Sequence, residues 1–528
     1  MHQPQLPAPG NRLNWCNLGG GSEHLAVVQA ALAHSELTLL LCSSTAAARR
    51  ALRECRVFAP QTLEILYFPD WETLPYDAFS PHQDIVSARL ATMAALPELT
   101  QGLLIVSLPT CMHRTPPRGY VAASSFTLAA GDQFDLERKR TTLVDAGYRA
   151  VAAVTERGEF AVRGSLLDLF PMGAEHPIRI DLLDDEIDSL RTFDPDSQRT
   201  IDRLDRFELL PAREFPIDGN AISQFRQKWH ETFDVDVRRC PVYQDISQGL
   251  VPAGIEYYLP LFFDGLGTLF DYLPTSALVI HGADLESRAQ AFRAQVTERY
   301  ESLRHDIERP LVAPAALYLG TDELFGALRE RRRVGLNEPH KHSRDFHCYA
   351  LPDVAANVRA KEPAAALIEF VQAQTAPVLF VAESGGRREI VEEFLGRAGI
   401  HPERLDSWEA FVHKPPVFGL LVAELTRGMR TPEFSLVTEA EIYGRSARDE
   451  RPATARQVDT DQVIRNLSEL HIGAAVVHLD HGVGRYQGLT TLSIDNQENE
   501  FLKLSYADDA TLYVPVACLL YTSDAADE

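Results

Sequence analysis

No two of the seven cysteines (Cys16, Cys42, Cys55, Cys111, Cys240, Cys348 and Cys518) stand at the C-x-x-C spacing, and their number is odd. This argues against a zinc ribbon or a paired disulfide framework and suits a reducing compartment. Long apolar runs are missing as well: LTLLLCSST at residues 37–45 is far shorter than the roughly 20 residues that a membrane helix requires. The amino terminus, MHQPQLPAPG, has neither the basic nor the apolar region of a secretion signal. A cytoplasmic protein without membrane contact is the expectation. Positive charge is scarce, since 51 Lys and Arg face 75 Asp and Glu for a net charge of −24. Such a surface repels nucleic-acid phosphates on average, so partners are expected to be proteins first. Lysine is absent around the glycine cluster NLGGGSEHLAVV (residues 17–28), although the cluster precedes a helix as a phosphate loop would. A working loop needs G-x-x-x-x-G-K-[ST], because the lysine neutralises phosphate and the hydroxyl holds magnesium. ATP hydrolysis is therefore unsupported: the chain reads as no enzyme, no cofactor is expected, and Ser22 reads as a helix cap.

What is present is enough apolar sequence, 45% of 528 residues, for roughly three to five domains, and the pattern is that of an α/β multidomain chain. Residues 13–117 alternate helical periodicity with short apolar strands, which implies a parallel sheet covered on both faces. Residues 118–211 are a β-rich insert, full of alternation and turns, after which the α/β pattern resumes over 212–336. The polar stretch 337–348 reads as a linker and 349–444 as a small α/β domain. A second linker, 445–464, leads to residues 465–528, whose short strands and glycine turns predict a small SH3- or Tudor-like barrel.

Several groups invite a chemical reading and weaken on inspection. Arg387 and Arg388 in AESGGRREIVEEF could meet an anion at a helix N-terminus, but such turns are common connectors. His340, His342, His347 and Cys348 match no zinc-finger spacing, and His478 with His481 do not close a tetrahedral site. Asp184 and Asp185 read as a solvated turn. The basic run LRERRRV (328–334) reads as a solvated helix face.

Surface recognition remains. In PIRIDLLDDEIDSL, period-two alternation sends Ile178, Ile180 and Leu182 to one face and Arg179, Asp181 and Leu183 to the other. Arg163, in GEFAVRGSLLDLFPMG beside a glycine that lets the strand bend, could join Arg179 on the outer face. Two guanidiniums beside a leucine suit a protein-docking patch, and two ordinary solvated arginines fit the same pattern. Leu492, on YQGLTTLSI, reads equally as an edge open to strand addition or as barrel core.

Five stretches, DWETLPYDAFSPHQDI, GYRAVAAVTERGEFAVRGSLLDLFPMG, DDEIDSLRTFDPDSQRT, VPAGIEYYLPLFF and NLSELHIGAAVVHLDHGVGRYQGL, together resemble the amino-terminal half of the bacterial transcription-repair coupling factors, the Mfd family. The likeness runs from about residue 14 to 519. It implies a UvrB-like α/β domain without UvrB's ATP loop, interrupted by a UvrA-binding insert, and a CarD-type barrel that binds RNA polymerase. Carried over by position, the resemblance implies that the UvrA-docking residues are Arg163, Arg179 and, more weakly, Leu183, where a family member carries an aromatic; Phe160 and Val162 would anchor the strand. Leu492 would meet the polymerase β subunit. The family's ATP-driven DNA translocase, with its ATP, magnesium and most DNA contact, and the domain that masks the UvrA site would lie beyond this chain. LLYTSDAADE departs from the family pattern, so a truncated reading frame is expected. The chain would act as a monomeric adaptor in transcription-coupled nucleotide excision repair. A CarD-like transcription regulator and a degenerate UvrB-like ATPase are the alternatives.

Overall fold

The computed structural model describes residues 4–337, 343–357, 359–360 and 362–443, and strands at 475–478, 482–494, 497–505 and 511–515. Contacts divide the chain into two units, Met1–Ser446 and Ala447–Glu528. No helix among the described residues is long and apolar enough to cross a membrane.

The first unit is built on a seven-stranded sheet. From one edge its order is Ser343–Cys348, Arg12–Leu18, Arg332–Leu336, Leu278–Gly282, Leu37–Cys42, Gly102–Ser107 and Ile65–Phe68, every pair parallel. Leu37–Cys42 and Gly102–Ser107 are buried at every position, as apolar strands covered on both faces should be.

Two readings of the sequence fail here. Residues 343–348 are an edge strand of this sheet and not a linker, because Phe346 packs against Trp15 at 5.0 Å between rings and the Asn337 side chain brackets the backbone of Leu18. Polar residues suit an edge strand, which has only one neighbour and needs protection from mispairing. Of residues 328–334 only Leu328 and Arg329 are helical, so the run is not a solvated helix face either. The helix Thr321–Arg329 ends there, Arg331 is buried against the carbonyls of Ala327 and Phe270 at 2.9 Å each, and the chain enters the central strand Arg332–Leu336.

The insert leaves and re-enters through the paired strands Phe126–Ala129 and Arg206–Leu209. Between them lies a six-stranded sheet, ordered Thr200–Leu204, Glu186–Phe193, Ile178–Leu183, Leu166–Leu169, Glu159–Arg163 and Arg149–Ala150. The insert also holds the helix Leu136–Asp145, capped by the Asp135 carboxylate. Phe160, Leu167, Leu169, Ile178, Ile180, Leu182, Ile187 and Leu190 join the main core, so one face of the sheet is committed inward. Where the insert rejoins the α/β layer, Arg89 and Glu214 form a buried forked pair at 2.5 and 3.2 Å, and the Trp71 indole donates to the same carboxylate at 3.1 Å.

The small α/β region has a five-stranded sheet, ordered Glu403–Leu405, Phe418–Val422, Val378–Ala382, Ser435–Thr438 and Met429–Arg430. Its Trp408, Phe411, Leu425, Met429 and Phe434 share one buried cluster with Trp15, Leu25 and Phe58 of the large sheet's layer. The buried carboxylate of Glu54 ties the two together by accepting from the Thr426 hydroxyl at 2.5 Å and contacting His24 Nδ1 at 2.5 Å.

This seam explains the glycine cluster. Gly20 has φ +65°, and a Cβ there would fall 1.8 Å from the Gly428 carbonyl oxygen; at Gly21 one would fall 2.7 Å from that of Arg427. Gly21 N–H donates to the Gly428 carbonyl at 3.2 Å and Gly19 N–H to that of Cys348 at 2.9 Å. Ser22 is the first residue of the helix Ser22–Ala33 and not its cap: its hydroxyl donates to the Gly19 carbonyl at 2.8 Å.

The second unit's described strands form an antiparallel meander of Ala475–His478, Gly482–Ile494, Gln497–Ser505 and Thr511–Pro515. The expected linker 445–464, His481 and the segment 516–528 that would close a barrel lie outside the described residues.

Candidate functional site

Strand register fixes what the outer face of the inserted sheet displays. Ala161, Asp168, Arg179, Arg191 and Arg203 stand in one row across five adjacent strands, and Arg163, Leu166, Asp181 and Ser189 in the next. Arg163 and Arg179 therefore share a face, two strands and two positions apart, or about 12 Å between Cα atoms. Like charges directly opposite one another are destabilising, so a row of three arginines needs compensation. Asp168, 2% exposed, meets Arg179 as a fork, with Nε to Oδ1 at 2.7 Å and Nη2 to Oδ2 at 2.9 Å. Asp181 pairs with Arg191 and accepts from the Ser189 hydroxyl at 2.8 Å.

The two expected docking arginines differ in their surroundings. Arg163 is exposed at the end of its strand; Nη2 donates to the Ala152 carbonyl at 3.0 Å, and among the described residues it has no ion-pair partner. Arg179 is half-buried. Its guanidinium lies 4.6 Å from the centre of the Phe193 ring, Nη2 also donates to Gln198 Oε1 at 3.3 Å, and hydrogen bonding to Asp168 raises its already high pKa. Phe193 belongs to a satellite core with Val154, Ala161 and Phe170 that floors this face. Leu183, at the hairpin tip, is 68% exposed. Phe160 is buried as expected, whereas Val162 is 38% exposed and anchors little, because the neighbouring strand pairs only with Glu159 and Phe160 and leaves its flank open.

Asp168, Arg191, Phe193 and Gln198 were not singled out from the sequence, whereas alternation did place Asp181 on this face. An acidic residue inside the apolar strand Leu166–Leu169 was the one available signal for Asp168. Asp184 and Asp185 are exposed turn residues. Leu492 lies on the strand Gly482–Ile494, its backbone opposite Asn499.

Other groups converge less well. Arg387 pairs with the buried Glu439, which also accepts from Glu383 N–H at 3.2 Å, so its charge is already met. His347 sits 3.2 Å from Asp345, His340 and His342 lie outside the described residues, and among the described residues no three His, Cys, Asp or Glu gather as metal ligands.

Three family models match in chain order. They are the UvrB interaction domain over residues 126–215, the MFD D3 domain over 370–442 and the CarD-like/TRCF RID domain over 470–519. Among curated proteins, the chain is 42% identical over 507 residues to the transcription-repair-coupling factor of Escherichia coli K12, covering 95% of this chain and 44% of that protein. It is 39% identical over 528 residues to that of Haemophilus influenzae, covering 98% and 46%, and 24% identical over 486 residues to that of Rickettsia bellii, covering 90% and 42%. The chain thus spans somewhat under half the length of these relatives.

Proposed function

We propose, from the premise that this chain belongs with the transcription-repair-coupling factors over the stretch it shares with them, that its inserted sheet is a docking face for the excision-repair protein UvrA. The observation that carries this is the placement of Arg163 and Arg179 together on the outward side of a sheet whose other side packs into the core, within the residues matched by the UvrB interaction domain. Arginine forks pair carboxylates and carbonyls, and the exposed Leu183 adds dry contact area beside them. The carboxy-terminal unit, in this reading an SH3-like barrel of CarD type, would hold the β subunit of a stalled RNA polymerase through Leu492. The chain then works by recruitment, bringing UvrA to polymerase halted at a lesion, in the cytoplasm and as a monomer. ATP-driven translocation on DNA would fall to the remainder of a full-length factor, with ATP and magnesium bound there.

The glycine cluster supports an adaptor over a degenerate UvrB-like ATPase, since its backbone is taken up by contact with Gly428. A titration of the chain with purified UvrA tests the reading: binding is expected with the intact sequence and lost with Arg163→Ala combined with Leu183→Asp. Unchanged affinity in that variant, with unchanged melting, removes it.

A further inference from the structure

Arg163 and Arg179 present different things to a partner. A guanidinium has five N–H donors. In Arg179, Nε–H is taken by Asp168 Oδ1 and the two Nη2 hydrogens by Asp168 Oδ2 and Gln198 Oε1, while the two Nη1 hydrogens have no acceptor among the described residues. The plane of the group is set on three sides, by the Asp168 fork, by Gln198 and by Phe193 beneath. Gln198 is itself fixed, donating from Nε2 to the Pro195 carbonyl at 2.7 Å. The positive charge of Arg179 is largely cancelled by the Asp168 carboxylate it clasps. Arg163 is the reverse: exposed, held by one carbonyl, with no carboxylate against it among the described residues.

We propose that the docking face divides its work, with Arg163 supplying charge-driven capture and Arg179 supplying two pre-aimed donors that set the lifetime of the complex, and that Asp168 is the positioning residue that aims them. This rests on the UvrA-docking reading above. The physical ground is that a free surface charge acts over a Debye length and is screened by salt, changing the association rate. A neutralised and immobilised donor pair adds little field but costs little entropy when it is bound, so it acts on dissociation. The partner surface it fits presents two acceptor oxygens, from carbonyl or carboxylate groups, one for each of the diverging Nη1 hydrogens.

The test is binding kinetics of the whole chain to immobilised UvrA at about 50 mM and about 500 mM salt, with melting of each variant recorded. Arg163→Ala is expected to slow association several-fold at low salt, with the deficit vanishing at high salt and dissociation little changed. Arg179→Lys keeps the charge and loses the fork, and is expected to speed dissociation about 10-fold with association unchanged. Asp168→Asn releases the charge of Arg179 while loosening its aim. Association should become faster and more salt-sensitive, and dissociation about 10-fold faster, a combination that mere weakening of the fold would not give. Unchanged dissociation in both Arg179→Lys and Asp168→Asn, or a salt-dependent association defect in Arg179→Lys matching that of Arg163→Ala, overturns the division while leaving docking intact. If none of the three variants alters affinity, the docking reading falls with it. Should Asp168→Asn fail to fold, Arg179→Lys decides alone.

Discussion

Replacing Gly20 by alanine tests whether the glycine cluster exists for packing. Two costs add. At φ +65° an alanine pays about 1 kcal/mol relative to glycine for the left-handed backbone. Its Cβ would also lie 1.8 Å from the Gly428 carbonyl oxygen, a contact that only a shift of the small α/β region can relieve. That shift loosens the Gly21–Gly428 and Glu54–Thr426 hydrogen bonds along the same seam, for roughly 1–3 kcal/mol more. The sum is about 2–4 kcal/mol. With an unfolding entropy near 2.1 cal/mol/K per residue, a cooperative unit the size of Met1–Ser446 has about 0.9 kcal/mol/K, so scanning calorimetry should show its midpoint lowered by about 2–4 °C. Gly386→Ala is the control with the opposite sign: it lies in the helix Gly385–Arg397 with nothing within 4 Å of a Cβ, and helix propensity favours alanine by up to about 1 kcal/mol. If Gly20→Ala melts with the parent chain, the packing account of the cluster is wrong.

Further outcomes follow from the buried charges and the second unit. Arg89→Met leaves the Glu214 carboxylate buried without its fork and should cost about 3–5 kcal/mol, read by urea unfolding; a loss below 1 kcal/mol would show that water reaches the site. Burial raises the Glu256 carboxyl to about 7, well above its ordinary value of 4.5, so folding takes up a proton between those values. Its contribution to stability is full below pH 4.5 and is lost as pH rises through 7. Glu256→Gln should therefore flatten the decline in melting temperature between about pH 5 and 8, and a profile parallel to the parent's would contradict this. Leu492→Arg should weaken binding to the polymerase β subunit about 10-fold in a titration, and an unchanged constant would place the contact elsewhere.

Period-two alternation made one side of the inserted sheet legible: Ile178, Ile180 and Leu182 are buried as the pattern required. What alternation could not give was register. Asp168 and Arg179 meet because two strands separated by the turn after Leu169 align those positions, and nothing local in either strand specifies that pairing. The consequence is practical: Arg179→Ala would strand a buried carboxylate, so loss of binding in that variant mixes docking with stability, whereas exposed Arg163 carries no such liability. Of the glycine cluster's reading only the Ser22 cap fails, and for a similar reason. The cluster's meaning lies in the carbonyl of Gly428, some 400 residues away in sequence, and a Ser22 cap was the local guess that distance left open. Residues 343–348 looked like part of a linker because an edge strand is polar in the same way a loop is; only Phe346 hinted at packing.

The proposed recruiting role stands or falls on Arg163, the one proposed docking arginine that can be removed without disturbing a buried partner. Calorimetric titration of UvrA with the intact chain and with Arg163→Ala, at low salt and with melting checked, should show affinity falling about 5-fold, or about 1 kcal/mol, at an unchanged melting temperature. Equal affinity for the two chains would contradict the account.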